Sequence, residues 1–198
     1  MKNTRKKTFD TYKLTLIAIM TAVVVVLQTF IRIPIANLSI AITLVPIVVG
    51  AVICGPLCGL WLGAVTGFII LMSGEAAAFL AFSIPGTIIT VMLKGMLCGF
   101  VPGLTFKLLK NANKYLAVLI SSVLCPIVNT LVFILGVVVF FLHDITVWAS
   151  SEGVSTFVFI IFGLVGINFL IEFTINLVFC PIIYRIINLT PLKNRNTQ

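Results

Sequence analysis

The chain has 198 residues, of which 61% are hydrophobic and 9% are charged. Soluble globular domains carry about a quarter of charged residues, so this composition excludes them and indicates a single integral membrane domain over residues 1–198. The formal charge of +8 requires no nucleic-acid partner, because the cations can lie against anionic lipid headgroups of the inner leaflet.

Long apolar stretches alternate with short polar or basic breaks. No charged residue occurs between Ile33 and Gly74, and a single helix of that length is about twice the bilayer hydrocarbon thickness of about 30 Å. The segment must therefore turn back, and the sequence CGPLCG supplies Gly55 and Pro56, which interrupt a helix. The sequence thus predicts an all-α membrane protein with six transmembrane helices, over residues 14–30, 40–53, 57–72, 84–106, 115–142 and 154–184.

The basic residues predict the orientation of these helices in the membrane. Eleven of the thirteen lie in the N-terminal segment 1–13, in the break after the fourth stretch, or in the tail 185–198. Arg32 lies on the opposite side, and Lys94 lies inside the fourth stretch. Because basic loops stay in the cytoplasm, both termini of this multi-pass cell-membrane protein are predicted to be cytoplasmic.

An enzyme is not expected from this sequence. Intramembrane hydrolysis needs a nucleophile with a base, or paired carboxylates, at membrane depth. The one histidine, His143, falls in a predicted outer loop over residues 143–153, and Glu172 is the one carboxylate within a predicted span. No Walker-type motif occurs, and no metal or cofactor is predicted. The five cysteines lack paired CxxC motifs, so they are interpreted as small buried hydrophobic residues.

Polar side chains inside the apolar stretches mark the candidate site, because burying them in lipid is costly. Asn168, Glu172 and Asn176 recur every four residues in the sixth stretch and therefore share one helix face. The hypothesis is that this face meets polar residues of the fourth and fifth stretches in a cavity between the last three helices; those residues are Lys94, Asn129 and Thr130. The alternative is that Lys94 and Glu172 pair with each other and that the asparagines only hydrogen-bond neighbouring helices.

Small residues at a spacing of four indicate close helix contacts in lipid. Ala18 and Ala22 form an AxxxA motif in the first stretch, which allows another helix to approach. Alanines at this spacing also occur by chance, and packing within the chain is the alternative explanation. The glycines of the third stretch repeat the spacing and are interpreted as packing against a neighbouring helix of the same chain; they are Gly59, Gly63 and Gly67.

Four segments together resemble a known family. They are AIMTA at residues 18–22, ITLVPIVVGAVICGPLCGLWLGAVTG at 42–67, LKGMLCGFVPGLTFKLLK at 93–110 and CPIVNTLVFILG at 125–136. This pattern resembles the substrate-binding S components of energy-coupling factor (ECF) vitamin transporters, which are six-helix membrane proteins of about this size. The resemblance covers nearly the whole chain, and the GP-turn hairpin followed by a basic-ended fourth helix is its most specific part.

The resemblance implies partners and a ligand. In the family, the alanine face of the first helix docks on a shared transmembrane scaffold protein, and two cytoplasmic ATPase subunits supply energy; Ala18 and Ala22 take the docking role here. A vitamin or related micronutrient binds near the outer face, under a lid formed by the loop between the first two helices. That loop is residues 31–39, with Arg32 and Asn37 as its polar members, although Arg32 anchored at the headgroups is the alternative.

Residues 74–83 and 143–153, with Trp148, are expected to form the rest of the mouth of this site. A residue of the interfacial aromatic belt is the alternative role for Trp148. Among S components, the sequence most resembles the pantothenate-specific branch, and Lys94 or Arg32 supplies a cation for a carboxylate ligand. A neutral or cationic ligand, such as riboflavin, a pyrimidine or a benzimidazole-like precursor, would instead use Glu172 and the asparagines.

Two other classes of function remain open at this point. A structural or assembly membrane protein would use its polar residues only to join helices, and a stand-alone carrier would transport without an ATPase partner. Polar groups concentrate in the last three stretches, while the first three are almost purely apolar. This uneven placement favours a binding protein with one scaffold-facing half.

Overall fold

Helices make up nearly all of the chain that the computed structural model describes, which comprises residues 3–30, 34–35, 38–39 and 42–189. Two antiparallel strands of two residues each, β1 (Pro34–Ile35) and β2 (Leu38–Ser39), follow the first helix. The helical elements in chain order are α1 (Asn3–Phe30), α2 (Leu44–Cys54), α3 (Pro56–Met72), α4 (Ala77–Phe82), α5 (Ile84–Leu109), α6 (Lys114–Gly136), the π-helix π1 (Val137–Phe141), α7 (Leu142–Ser151), α8 (Thr156–Val158), the π-helix π2 (Phe159–Gly166) and α9 (Ile167–Leu189).

Local sequence explains where these helices begin and end. Gly55 has φ 103°, a left-handed conformation that favours glycine, and Pro56 is the first residue of α3. The predicted turn between the second and third stretches is thereby confirmed. Ser83 caps α5 by accepting a hydrogen bond from the Gly86 amide, and Asn113 caps α6 in the same way.

Within the described residues, four helical segments are long and apolar enough to cross a membrane. They are Lys13–Phe30, Ile84–Leu109, Lys114–Ser151 and Thr156–Asn188. The two remaining apolar helices are shorter, because α2 has 11 residues and α3 has 17. At about 1.5 Å per residue, α2 covers about half of the hydrocarbon thickness of about 30 Å. The predicted helical fold is confirmed, apart from the two short strands after α1.

One predicted loop is wrong. Residues 143–153 were expected to form an outer loop, yet α6 continues through π1 into α7 and the chain stays helical as far as Ser151. The physical reason is that no glycine or proline interrupts the chain between Gly136 and Gly153. Gly153, with φ 70°, is the residue at which the chain turns.

Glycines of α3 pack directly against glycines of α5. A Cβ atom added to Gly63 would collide with the backbone carbonyl of Gly95, and one added to Gly59 would collide with that of Gly99. The two backbones are therefore in direct contact, as small residues permit in lipid. This confirms that the glycines of the third stretch pack against a neighbouring helix of the same chain. We call this contact the glycine seam.

Two apolar clusters support the rest of the bundle. The first joins α1, α2, α3, α5, α6 and α9, and its fully buried members include Val24, Ile47, Leu62, Val118 and Ile183. The second joins α4 to π1, α7 and π2, and includes Phe79, Val137, Phe141, Ile145 and Leu164. All five cysteines are free and buried, which confirms their interpretation as small hydrophobic residues.

Candidate functional site

A cavity of about 810 Å³, counted with its open mouth, lies between α1, α3, α5, α6 and α9. Its polar lining consists of Gln28, Thr66, Glu75, Thr87, Thr90, Lys94, Asn129, Asn168 and Glu172. Its apolar lining includes Leu44, Ile70, Phe79, Val91, Phe133 and Phe141.

The part of the cavity that we call its inner end is organised around Glu172, which is 2% exposed. Asn129 on α6 donates through Nδ2 to Glu172 Oε2 at 3.1 Å, and Asn168 on α9 donates through Nδ2 to Glu172 Oε1 at 3.3 Å. Asn176 Nδ2 donates to the backbone carbonyl of Glu172 at 2.9 Å. The spacing of four therefore brings Asn168 and Glu172 to the cavity, while Asn176 is buried behind it.

Lys94 lines the same end of the cavity from the middle of α5. Its Nζ atom lies 5.4 Å from the centre of the Phe133 ring, a distance at which a cation is attracted to the ring face. The contacts of Lys94 in the described part of the chain include no salt bridge to Glu172. The side chain is half-buried, so its ammonium group can turn to an anionic ligand.

Sequence reasoning missed a second polar group, in the part of the cavity around Gln28 and Glu75 that we call its outer end. Gln28 of α1 donates through Nε2 to the two carboxylate oxygens of Glu75, at 3.0 and 3.2 Å. Its carbonyl oxygen accepts a hydrogen bond of 2.8 Å from the hydroxyl of Thr43, the residue before α2. One amide side chain thus connects three segments. The signal for it was a lone amide within the first apolar stretch.

Two buried polar atoms of the cavity wall have no hydrogen-bond partner among the described residues: the hydroxyl of Thr90 and Oδ1 of Asn168. Thr90 is 5% exposed, and its side chain packs against the backbone of Gly136. Buried polar groups in proteins are nearly always hydrogen-bonded, and those that are not call for an explanation. Both residues line the cavity, so a bound ligand is one group that could satisfy these atoms.

The other predicted site residues fall in three places. Thr130 lines a smaller recess of about 300 Å³ that shares Lys94, Asn129 and Asn168 with the main cavity. Ala18 and Ala22 are exposed on α1. Arg32 and Asn37 lie outside the described residues.

Two expectations about the site need correction. The cavity was expected between the last three helices, but Gln28 of α1, Leu44 of α2 and Thr66 of α3 also line it. Polar side chains of the first and third stretches therefore contribute to the cavity, although these stretches are almost purely apolar in sequence. Trp148 does not line the cavity; it is half-buried and packs on the rings of Phe82 and Phe159, at 6.1 and 5.2 Å between centroids.

The cavity combines a few convergent polar groups with aromatic walls, which is the usual composition of a small-molecule site. The helices around it carry large apolar side chains on their outer faces, as lipid requires. The fold and the cavity together therefore define a membrane-embedded protein that binds a small molecule.

Comparison with protein families identifies the family of this membrane protein. The family model described as "ECF transporter, substrate-specific component" matches residues 12–184, and the chain belongs to this family. It is a multi-pass protein of the cell membrane and a transport-binding subunit rather than an enzyme. The family implies a vitamin or micronutrient substrate, a scaffold subunit and ATPase partners. No curated protein and no solved structure matches the chain.

Proposed function

We propose that the chain is the high-affinity pantothenate-binding subunit of an ECF transporter, working with a transmembrane scaffold and two ATPase subunits. The observation that carries the proposal is a lysine, Lys94, at the inner end of a cavity that also presents Asn129, Asn168 and Glu172. A cation beside amide and carboxylate groups suits a ligand that is both anionic and rich in hydroxyl groups.

Pantothenate has three kinds of group that match this lining. Its carboxylate pairs with the ammonium group of Lys94, in a charge-assisted hydrogen bond. Its hydroxyl groups and amide N–H are donors for the carboxylate of Glu172 and for the asparagine oxygens. Its two methyl groups pack on the rings of Phe133 and Phe141, which line the same cavity.

A second ligand class is supported by the two glutamates of the cavity, Glu75 and Glu172. Carboxylates favour ligands that offer N–H or O–H donors or a positive charge. Riboflavin, or a pyrimidine or benzimidazole-like precursor, belongs to this class. Removal of Lys94 should weaken the binding of pantothenate strongly and the binding of a neutral ligand little.

We propose that the scaffold docks on the face of α1 that carries Ala18 and Ala22. Both alanines are exposed, and only 11% of the apolar window of α1 is buried in the chain. An exposed small-residue face lets a partner helix approach closely. This leaves α1 available on one side, while Gln28 on its other side reaches the cavity.

The six-span topology with both termini in the cytoplasm is also part of this proposal. It is supported by the placement of the basic residues and by the apolar helices α2 and α3, which fold back on each other at Gly55. Fusion of a reporter to either terminus tests it, since both fusions should report a cytoplasmic location.

The proposed substrate is tested by titrating the purified chain in detergent with pantothenate and with riboflavin. Saturable binding of pantothenate that Lys94→Met weakens would support the assignment. Saturable binding of riboflavin alone would transfer the function to the second ligand class. A folded sample that binds no vitamin would favour a structural protein, and transport by the chain alone in vesicles would favour a stand-alone carrier.

A further inference from the structure

Glu172 is held by two asparagine side chains, and this arrangement constrains both of them. Asn129 approaches from α6 and Asn168 from α9, each with its Nδ2 atom on a separate carboxylate oxygen, at 3.1 and 3.3 Å. The carboxylate is almost fully buried. Its hydrogen bonds are therefore made inside the helix bundle rather than in bulk water.

The chemistry of the two groups sets the orientation of the amides. Both carboxylate oxygens of Glu172 accept a hydrogen bond in the structure, whereas an asparagine amide has a donor end and an acceptor end. Each asparagine therefore turns its NH₂ group to Glu172, and its carbonyl oxygen Oδ1 points away from Glu172. Because both asparagines line the cavity, their carbonyl oxygens remain for a ligand, beside the second N–H of each amide group.

The surroundings of Asn168 give an independent indication. Its Oδ1 atom is buried and has no hydrogen-bond partner among the described residues. A buried acceptor without a partner is unfavourable, and a ligand N–H or O–H group bound there satisfies it. Lys94 lines the main cavity and the recess beside it together with both asparagines, so a cation is close to these two acceptors.

We infer that Glu172 is a positioning residue that sets the polarity of the inner end of the cavity. It turns the carbonyl oxygens of Asn129 and Asn168 to the ligand, so that the site selects hydroxyl or N–H donors there. Lys94 selects an acidic group beside them. The ligand class is therefore a small acid that carries hydroxyl or amide N–H groups, an inference that rests on the proposed function of this cavity.

Glu172→Gln is the informative substitution because it keeps the shape and changes the hydrogen-bonding pattern. A glutamine amide has a donor as well as an acceptor. It can donate to one asparagine oxygen and thereby allow that asparagine to turn its NH₂ group to the ligand. The preference of the site for ligand donors should then decrease.

The first measurement needs no ligand. The protein is labelled with ¹⁵N-asparagine in nanodiscs, and the side-chain NH₂ signals of Asn129 and Asn168 are assigned with the variants Asn129→Asp and Asn168→Asp. Glu172→Gln should shift at least one of the two signals, since a carboxylate acceptor is lost. Glu152→Gln, an exposed glutamate outside the cavity, is the matched control and should shift neither. Unchanged signals in Glu172→Gln would overturn the inference.

The second measurement compares pantothenate with an analogue that lacks its hydroxyl groups. In the original protein the analogue should bind at least about tenfold more weakly, because a site built for a hydroxyl group rejects a ligand without it. In Glu172→Gln this difference should fall to about threefold or less. An equal difference in both proteins would contradict the selection of donors by Glu172.

Glu172→Asp is a second variant, in case Glu172→Gln aggregates. It keeps the acceptor-only carboxylate, so it should retain the preference for the hydroxyl-bearing ligand even at lower affinity. Loss of that preference in Glu172→Asp would count against the inference. If the original protein does not bind pantothenate, the proposed substrate is wrong, and the NMR experiment still decides whether Glu172 orients the asparagines.

Discussion

The two faces of α5 differ in what they contribute. One face carries Gly95 and Gly99, whose backbones contact α3 directly in the glycine seam. The other face carries Thr90 and Lys94, which line the cavity, and Gly95 lines it as well, at the border between the two faces. Side chains are absent on the first face, so the helices close completely, while polar side chains on the second face keep a space for a ligand. The comparison indicates that α5 packs against α3 mainly through its glycine face and lines the cavity mainly through its polar face.

The largest expected effect is on the glycine seam. Gly63→Leu places a side chain against the backbone of α5, where no flexible group can give way. Overpacking of a core typically costs about 1–3 kcal/mol, and contact with backbone should reach at least the top of that range. The expected result is loss of monodisperse protein in size-exclusion chromatography. Gly163→Leu is the control, because a Cβ atom there makes only ordinary contacts, at 3.4 Å from Phe159. Normal behaviour of Gly63→Leu would refute the close contact.

The next effect is on the other face of α5. Lys94→Met removes the charge and keeps the length of the side chain. A hydrogen bond to a charged group is worth about 2 kcal/mol, so the affinity for pantothenate should fall about 30-fold. Lys107→Met, on the same helix but exposed and outside the cavity, should leave the affinity unchanged. Calorimetric titration measures both, and equal affinities in the two variants would show that Lys94 does not bind the ligand.

A smaller effect is expected at the outer end of the cavity. Gln28→Leu removes the amide that connects α1 to Thr43 and Glu75. Leaving the buried hydroxyl of Thr43 without its acceptor costs about 1–3 kcal/mol, which should lower the thermal stability. It should also increase the rate of ligand dissociation about fivefold, because a loss of about 1 kcal/mol of binding free energy corresponds to about that factor. Thr21→Val, on α1 but outside the cavity, is the control. A dissociation rate unchanged by Gln28→Leu would show that the hydrogen bonds of Gln28 do not contribute to ligand binding.

The smallest effects come from two hydroxyl groups and sharpen the comparison most. Ser121 is fully buried and donates to the backbone carbonyl of Pro102 at 3.0 Å. Ser121→Ala should lower the stability by about 1 kcal/mol without changing the affinity. Thr90→Val should lower the affinity without changing the stability, because the Thr90 hydroxyl has no partner to lose in the described structure. Thermal unfolding and ligand titration on both variants check this, and parallel changes in the two quantities would contradict it.

Much of the fold was predictable from the sequence because it depends on local patterns. Apolar length, the Gly55–Pro56 break and the spacing of the glycines each act within one or two neighbouring helices. The face formed by Asn168 and Glu172 was predictable for the same reason, since helical periodicity determines it.

The remainder depends on contacts between distant segments. Gln28, Thr43 and Glu75 come from three elements, and only their packing shows that they share hydrogen bonds. The polar residues of 143–153 predicted a loop. The chain stays helical there as far as Ser151, because no glycine or proline interrupts it before Gly153. The polar composition of residues 143–153 therefore did not determine their backbone conformation.

The most direct test of the central claim, that the cavity of Lys94 and Glu172 holds a vitamin, is native mass spectrometry of the protein purified gently from cells grown in rich medium. We predict one bound small molecule that excess pantothenate displaces. Asn129→Ala should weaken the binding of this molecule. A folded sample without a bound molecule, and without a thermal shift on addition of any vitamin, would contradict the account.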